Sequence, residues 1–210
     1  MTNAALTLMQ WLSPAFPVGA FAYAHGLEQA VADGTVRDAD TLQDWIETLI
    51  THGSARADAI LLTAAHTAPD PAPIDATARA FAASAERLKE TDLQGAAFCD
   101  TARAVWDIPV TGLTYPVAVG AAARAMDVPL AHTLPLYLHA FASNLTSAAQ
   151  RLMPLGQTAA QQVLANLAPA IQTTAQETAT TTLDDLSATS FAADIAAMRH
   201  ETLQTRIFRT

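Results

Sequence analysis

The sequence predicts an all-α protein, folded as a single-domain multi-helix bundle over residues 1–210. Apolar residues make up 51% of the chain, many of them alanine, while aromatic residues account for only 6%. Alanine favours helices and is depleted in strands, and few large side chains are present to fill a sheet core. In addition, the apolar residues of the segment 42–50 recur at i, i+3, i+4, i+7 and i+8, which is the spacing of one face of an amphipathic helix.

Proline, glycine and capping residues place the helices of the first half. Ser13-Pro14 ends the first helix, and Asp40 begins a longer one with Gln43 as its capping-box partner. Gly53 is predicted to kink or divide that helix before Ile60. The predicted segments are Asn3 to Leu12 with Leu6 and Met9 on one side, Phe21 to Asp33 with Gly34 as C-cap, and a helix carrying Leu42, Trp45, Ile46, Leu49 and Ile50.

The second half continues the same pattern after a proline-rich loop over 67–73. A helical pattern from Ile74 to Trp106 is predicted to break near Gly95. Pro116 begins a short helix, and Met153 to Gly156 interrupt the chain again. The remaining segments are a central core helix carrying Leu134, Leu138, Phe141, Leu145 and Leu152, a helix from Gln157 to Thr181, and a last helix from Phe191 to Arg199.

The charge balance argues against nucleic acid as a partner. The formal net charge is −9, and Lys89 is the single lysine among eleven cations. An acidic surface without a lysine-rich run repels phosphate backbones. Arginine, which can bind a carboxylate with two parallel hydrogen bonds, supplies the other cations.

The cysteine content and the hydropathy pattern favour the cytoplasm. Cys99 is the only cysteine, which excludes an internal disulfide framework and suits a reducing compartment. The first twenty residues hold no lysine or arginine, so they do not resemble a signal peptide. No uncharged apolar run approaches the roughly 18 residues that span a bilayer. We therefore expect no membrane association.

Motifs for catalysis are missing from the sequence. It contains no GxxxxGK[ST] loop, GxSxG elbow, HExxH pair or CxxC pair. His132 and His139 lie seven residues apart, about 10 Å along one helix, which is too far to hold one metal ion directly. We expect no enzyme activity, no cofactor and no metal site, although a histidine cluster drawn from different helices stays open.

Three segments are more unusual than a helical bundle requires. The first, from Ser13 to Glu28, is an apolar turn rich in proline and glycine that leads into a helix bearing a carboxylate. The second, Arg151 to Gln157, places a cation at a helix end before a sharp turn. The third, His200 to Thr210, alternates cations with apolar residues.

Together these segments resemble the urease accessory protein UreF family, and the resemblance extends over nearly the whole chain. It includes Glu86 to Phe98 and the Tyr115-Pro116-Val117-Ala118-Val119-Gly120 segment. The chain departs from the family pattern at Ala22 and Ala24, where serines are common, and at Gln204, where tyrosine is usual. These departures concern the detailed partner contacts.

The resemblance implies an all-α adaptor in the assembly of the urease nickel site, without enzyme activity. Such a protein pairs with the accessory protein UreD, also called UreH, and recruits the GTPase UreG onto the urease apoprotein. It is often a homodimer. The residues expected to bind partners are Pro17, Gly19, Phe21, Tyr23, Glu28, Arg151, Pro154, Gly156, Gln157, His200, Glu201, Arg206, Phe208 and Arg209.

Two hypotheses assign roles to these residues. Arg151, with Glu28, is expected to shape the face that meets the GTPase, either by electrostatic docking or as an arginine finger. Arg206, Phe208 and Arg209 are expected to form an unanchored tail over about residues 200–210 that becomes ordered only when UreD binds.

Two other classes of function stay open on the sequence alone. One is a helical nickel-binding carrier that uses histidines, with His25, His132, His139 and His200 as candidates. The other is an enzyme with an unrecognised all-α active site, which would need polar groups converging in a pocket.

Overall fold

The computed structural model describes residues 4–210, which form ten α-helices and two short 3-10 turns, with no β-strand in that range. This confirms the all-α prediction; the predicted helix start at Asn3 lies outside the described residues. The α-helices are α1 (Ala4–Trp11), α2 (Leu27–Ala32), α3 (Ala39–His52), α4 (Ser54–Thr67), α5 (Ala72–Phe81), α6 (Ala85–Trp106), α7 (Tyr115–Ala125), α8 (Leu130–Leu152), α9 (Gln157–Thr178) and α10 (Phe191–His200); the 3-10 turns are Ala20–Ala22 and Leu183–Asp185.

Helix α4 packs against both α7 and α8. Leu134, Leu138 and Leu145 of α8 are fully buried, as predicted for a central core helix. Helix α7 approaches α4 so closely that a Cβ added at Gly120 would lie 2.3 Å from the backbone oxygen of Leu62. A glycine is required there because no side chain fits between the two backbones.

Helix α3 has the predicted apolar face but a different start. Leu42, Ile46, Leu49 and Ile50 are buried, which confirms the stripe. The capping box is formed by Asp38, whose Oδ1 accepts the Thr41 N–H at 2.9 Å.

The start predicted at Asp40 with Gln43 was therefore two residues late. Asp38 and Asp40 are both acidic residues that precede a polar side chain by three positions, and helical periodicity does not determine which of them begins the first turn. Gly53 divides α3 from α4, as predicted.

The predicted break near Gly95 is wrong. Gly95 lies inside α6, and the chain is interrupted instead at residues 82–84, after which the Ser84 hydroxyl caps α6 by accepting the Arg87 N–H at 3.1 Å. A Cβ at position 95 would lie 2.0 Å from the Leu113 oxygen. The glycine thus permits close packing of α6 against the turn before α7.

The segment predicted as one helix from Phe21 to Asp33 is divided. Residues 20–22 form a 3-10 turn, and His25 (φ 50°) and Gly26 (φ 74°) adopt left-handed conformations before α2 begins. A left-handed pair cannot continue a right-handed helix. Gly34, at φ 73°, follows the C-cap of α2, close to the predicted end. The helix predicted to reach Thr181 ends at Thr178.

Two helices expose apolar faces. In α1, Leu8 and Trp11 are buried, whereas Leu6 and Met9, predicted to share one side, are 61% and 64% exposed. In α10 the exposed side chains are Phe191, Ile195 and Met198, spaced along one face. No helix within residues 4–210 has the length and hydrophobicity needed to traverse a bilayer.

Candidate interaction site

The tail, defined as residues 200–210, lies against the segment that precedes α2. The Arg209 N–H donates to the Ala22 carbonyl at 2.8 Å, and the Ala24 N–H donates to the Thr210 carbonyl at 3.2 Å. The Thr210 hydroxyl oxygen also accepts the backbone N–H groups of Ala24 and His25, at 3.2 and 3.3 Å. The tail and the segment before α2 are therefore joined by backbone hydrogen bonds.

Glu28 is the centre of this junction. One carboxylate oxygen accepts the Ile207 N–H at 2.7 Å, and the other accepts the Phe208 N–H at 2.8 Å. The second oxygen also lies 3.2 Å from Nε2 of His200. Because the donors come from α10 and from the tail, the Glu28 side chain of α2 holds both of these segments in place.

A second carboxylate completes the junction from α6. His200, fully buried, places Nδ1 2.7 Å from Oε2 of Glu86. Arg206 pairs with the same carboxylate and donates to the His200 carbonyl at 3.3 Å. Glu201 accepts the Ala85 N–H at 2.8 Å, at the start of α6. We call Glu28, Glu86 and His200 the tail anchor.

The tail is also covered from α8. Phe208 is only 2% exposed, and the Arg151 guanidinium lies 4.1 Å from the centre of its ring. Arg151 also donates to the Phe21 carbonyl, and Asn144 donates to the Tyr23 carbonyl at 3.1 Å. A cation over an aromatic face is a favourable contact. The expectation that Phe208 is an unanchored aromatic is therefore wrong, because this chain buries it against its own helices.

Beneath the tail lies a buried charged cluster. His25 Nε2 is 3.1 Å from a Glu90 oxygen, and Arg87 contacts both Glu90 (3.3 Å) and Asp58 (2.8 Å). The Tyr137 hydroxyl donates to Asp58 at 3.0 Å. The cluster connects α4, α6 and α8 to the segment under the tail.

The pKa values of the two carboxyl groups in this cluster, Glu90 and Asp58, are shifted in opposite directions. Burial disfavours the ionised form of Glu90, but Arg87 and His25 outweigh it and lower its pKa to about 2. Burial raises the pKa of Asp58, against the opposing effect of Arg87. Glu90 is therefore the carboxylate that stays ionised beside Arg87.

The residues predicted to bind partners divide by exposure. Four of them are buried, so they hold the surface residues in position and do not themselves contact solvent. These four are Tyr23, Glu28, His200 and Phe208. Glu28 was expected to shape a face that meets a partner, but it is only 6% exposed and its oxygens are occupied. Glu28 can therefore affect the binding of a partner only through the tail that it holds in place. The exposed members are Pro17, Phe21, Arg151, Pro154, Gly156, Gln157, Glu201, Arg206 and Arg209, while Gly19 is half-buried.

The structure brings together the first and third unusual segments but only one end of the second. Arg151 contacts both Phe208 and Phe21, whereas no side-chain hydrogen bond joins the 154–157 turn to the tail in the described residues. That turn ends α8 and begins α9, for which Gly156 is the N-cap. Its effect on the site is to set the position of Arg151.

Sequence reasoning missed several residues that build the site. Glu90 and Thr210 make long-range contacts that no local spacing indicates, and His25, named only as a candidate nickel ligand, contacts Glu90 instead. Glu86, in the first turn of α6, has the position of an ordinary helix-dipole carboxylate. No local signal marks Glu90, because its neighbours in the sequence, Lys89, Thr91 and Asp92, are polar and only the fold buries it.

The histidines named as candidate ligands do not converge. Within residues 4–210, no group of three or more histidine, cysteine or acidic side chains is placed to hold a metal ion. His132 and His139 are exposed on α8, while His25 and His200 contact carboxylates. Cys99 is buried.

Comparisons with known proteins found relatives that match this chain over its whole length. The sequence profile of the family described as UreF matches residues 36–168. Among curated proteins named "Urease accessory protein UreF", that of Ruegeria sp. (strain TM1040) is 61% identical over 212 residues, covering 100% of this chain and 99% of the relative. That of Roseobacter denitrificans is 56% identical over 211 residues, covering 100% and 95%. One from Cereibacter sphaeroides (strain ATCC 17025) is 50% identical over the full length of both chains.

Proposed function

Because this chain belongs to the UreF family of urease accessory proteins, we propose that it acts as a non-catalytic adaptor in loading nickel into urease. In this proposal it pairs with UreD (UreH), recruits the GTPase UreG and modulates its GTP turnover on the urease apoprotein. It works as a homodimer in the cytoplasm, where the buried Cys99 thiol stays reduced. It requires no cofactor of its own.

The observation that carries the proposal is the junction of the tail with the segment before α2. Segments separated by some 180 residues meet through the Glu28 carboxylate, and Arg151 covers their aromatic residue. Around this junction lie exposed side chains of the composition that binding hot spots favour, an aromatic residue with arginines. Exposed apolar faces on α1 and α10 supply further surface for partners.

The deciding experiment is deletion of the gene in a urease-positive host, with urease activity and urease nickel content as readouts. We expect inactive, nickel-poor urease, restored by the wild-type gene. A deletion strain with fully active, nickel-replete urease would contradict the proposal.

Arg151 tests the adaptor role more closely. An Arg151→Ala variant should reduce urease activation, because the cation at the end of α8 is lost from the surface proposed to meet UreG. Arg151→Lys separates the two forms of the hypothesis. Retained activation by lysine supports electrostatic docking, whereas loss of GTP turnover with lysine supports an arginine finger.

The alternative function, a nickel carrier, predicts a different result. Equilibrium dialysis of the purified chain with nickel should then give micromolar or tighter binding without partners, and replacing the four candidate histidines, His25, His132, His139 and His200, should abolish it. An adaptor without a resident ion binds nickel no better than the variant without these histidines does.

A further inference from the structure

Both ring nitrogens of the fully buried His200 side chain face a carboxylate. Nδ1 lies 2.7 Å from Oε2 of Glu86 on α6, and Nε2 lies 3.2 Å from Oε2 of Glu28 on α2. A neutral imidazole has one N–H donor and one lone pair, whereas the protonated ring has two N–H donors. Only the protonated ring can therefore donate a hydrogen bond to each carboxylate.

The charges around His200 balance only when its ring is protonated. Three charged side chains surround the ring from the neighbouring elements: Glu28 from α2, Glu86 from α6 and Arg206 from the tail. On α10 itself, Arg199 is exposed and pairs with Asp33 at 3.6 Å. Two carboxylates and one guanidinium leave one negative charge, which the imidazolium neutralises. An uncompensated charge is costly at a buried site.

Loss of one proton from this ring acts directly on the tail. With the remaining proton on Nδ1, the nitrogen with the shorter contact, Nε2 presents a lone pair to Oε2 of Glu28, and two electron-rich atoms at that distance repel each other. The same oxygen accepts the Phe208 N–H at 2.8 Å, while Oε1 accepts the Ile207 N–H at 2.7 Å. Deprotonation of the ring therefore weakens first the contact that holds Phe208.

We propose that the tail anchor is a proton-dependent switch, in which the protonated His200 ring attaches the tail to α2 and α6 and loss of that proton to solvent releases it. The attached tail binds one more proton than the released tail, so attachment is favoured as the pH falls and is lost as the pH rises. Histidine is the side chain whose ordinary pKa, about 6.5, lies near physiological pH. This switch does not depend on the proposed function, because it concerns this chain alone.

Release of the tail is a local event that changes the surface. The tail is held by hydrogen bonds and by one large apolar side chain, Phe208, so it can open at a lower free energy than the helical core. In the released state Phe208 leaves its place beside the Arg151 guanidinium, and Ala22 and Ala24 lose their backbone bonds to the tail. The junction described above therefore exists only while the ring is protonated.

A second histidine lies beneath the tail, but its contacts do not require a charged ring. His25 Nε2 lies 3.1 Å from a Glu90 oxygen, and the His25 backbone N–H donates to the Thr210 hydroxyl. Its Nδ1 has no hydrogen-bond partner among residues 4–210. A neutral ring with its proton on Nε2 satisfies this arrangement. The switch is therefore assigned to His200, and His25 enters the test as a comparison.

The test follows hydrogen exchange of the Ile207 and Phe208 amides in the full chain at about pH 6 and pH 8, on either side of the ordinary histidine pKa, with the intrinsic pH dependence of exchange removed. The wild type is compared with His200→Gln and His25→Gln. His139→Gln, at an exposed position of α8, is the matched control. Nitrogen-15 shifts of the wild-type His200 ring report whether both nitrogens carry protons, so one measurement needs no variant.

We expect the protection of the Phe208 amide in the wild type to fall about tenfold or more from pH 6 to pH 8, with a smaller fall for Ile207 and none for the amides of α4. His25→Gln and His139→Gln should show the same fall. In His200→Gln the protection should be low at both pH values and change less than about twofold. At pH 6 both ring nitrogens of His200 should show imidazolium shifts.

Three results would overturn the proposal. The first is protection of the wild-type tail that does not change between the two pH values. The second is a pH dependence that persists in His200→Gln and disappears in His25→Gln, which would assign it to the other ring. The third is a neutral His200 ring at pH 6, which would place the shared proton on a carboxyl group of the anchor.

Discussion

The packing of α4 against α7 and the anchoring of the tail hold this molecule together in opposite ways. The first contact is made by alanine, valine and leucine side chains, with Gly120 allowing the two backbones to touch. The second is made by carboxylates, a histidine and backbone N–H groups, with Phe208 as its one large apolar side chain. Close apolar packing is non-directional and depends on shape, whereas the tail anchor depends on which polar atoms meet.

The difference indicates a division of labour. The α4–α7 contact lies in the interior, so its side chains are not available to a partner protein. The tail anchor holds exposed arginines and Phe21 in fixed positions at the surface. Variants in the first region should therefore change stability alone, and variants in the second should change stability less and partner binding more.

The largest effect is expected from Gly120→Ala, because the new Cβ would overlap the Leu62 oxygen of a rigid backbone. We expect a loss of about 4 kcal/mol in the free energy of unfolding, measured by urea denaturation. Gly156→Ala is the control, since nothing lies within 4 Å of a Cβ there. It should cost less than about 1 kcal/mol, the usual effect at a helix N-cap. Similar losses in both variants would show that the α4–α7 approach is not the tight contact described.

Phe208→Ala should have the next largest effect. Removing a buried ring and the surface that supports Arg151 should cost about 3 kcal/mol in unfolding free energy. Phe21→Ala removes the same ring from a position that is 69% exposed, so it should change stability by less than about 0.5 kcal/mol while weakening partner binding. If Phe208→Ala leaves the unfolding free energy unchanged, the tail is not held as we describe.

Glu28→Gln tests the anchor itself. The amide keeps one acceptor oxygen, but its NH₂ group faces a backbone N–H that then loses its partner, so a cost of about 2 kcal/mol is expected. Hydrogen exchange of the Ile207 and Phe208 amides should become faster, whereas amides of α4 should keep their protection. Glu177→Gln, at an exposed position of α9, is the control. Unchanged exchange at both tail amides would refute the role of Glu28.

The smallest effect is a pH dependence caused by Glu90. Its pKa is about 2 in the folded protein against 4.5 in the unfolded chain, so the unfolded state takes up more protons as the pH falls. The stability contributed by Glu90 is complete above the unfolded value and is lost as the pH falls towards the folded one. Between pH 6 and pH 4 the loss from this group is about 1 kcal/mol.

The variant Glu90→Gln should remove that loss, so its unfolding free energy should fall less than that of the wild type between pH 6 and pH 4. Asp58 acts in the opposite sense, because its raised pKa makes the folded state the better proton acceptor there. Equal pH dependences of wild type and variant would show that Glu90 is not held ionised by Arg87.

Local pattern was sufficient to predict much of the fold but little of the anchor. The face of α3, the buried leucines of α8 and the division at Gly53 follow from helical spacing and from a residue with a distinct backbone preference. The wrong break at Gly95 has a tertiary cause, because this glycine is required by a neighbouring segment and not by its own helix.

The anchor could not be derived from spacing because its contacts join distant positions. Glu28, Glu86 and His200 are each unremarkable where they stand in the sequence, and only the fold makes them neighbours. The resemblance to a family did single out Glu28, Arg151 and the tail, yet it placed Glu28 and Phe208 on the surface. The turn that leads to Glu28 places His25 and Gly26 in left-handed conformations, which no periodicity predicts.

The separation of the residues that meet at Glu28 has a consequence for synthesis. Ile207 and Phe208 bind a carboxylate that precedes them by 179 and 180 positions, so these bonds close only after nearly all the intervening chain has left the ribosome and the helices have assembled. Truncated or partly folded chains would lack the surface around Arg209. A partner that recognises this surface would therefore bind only chains in which the tail and the segment before α2 have already met, so folding of this region precedes the first step of assembly.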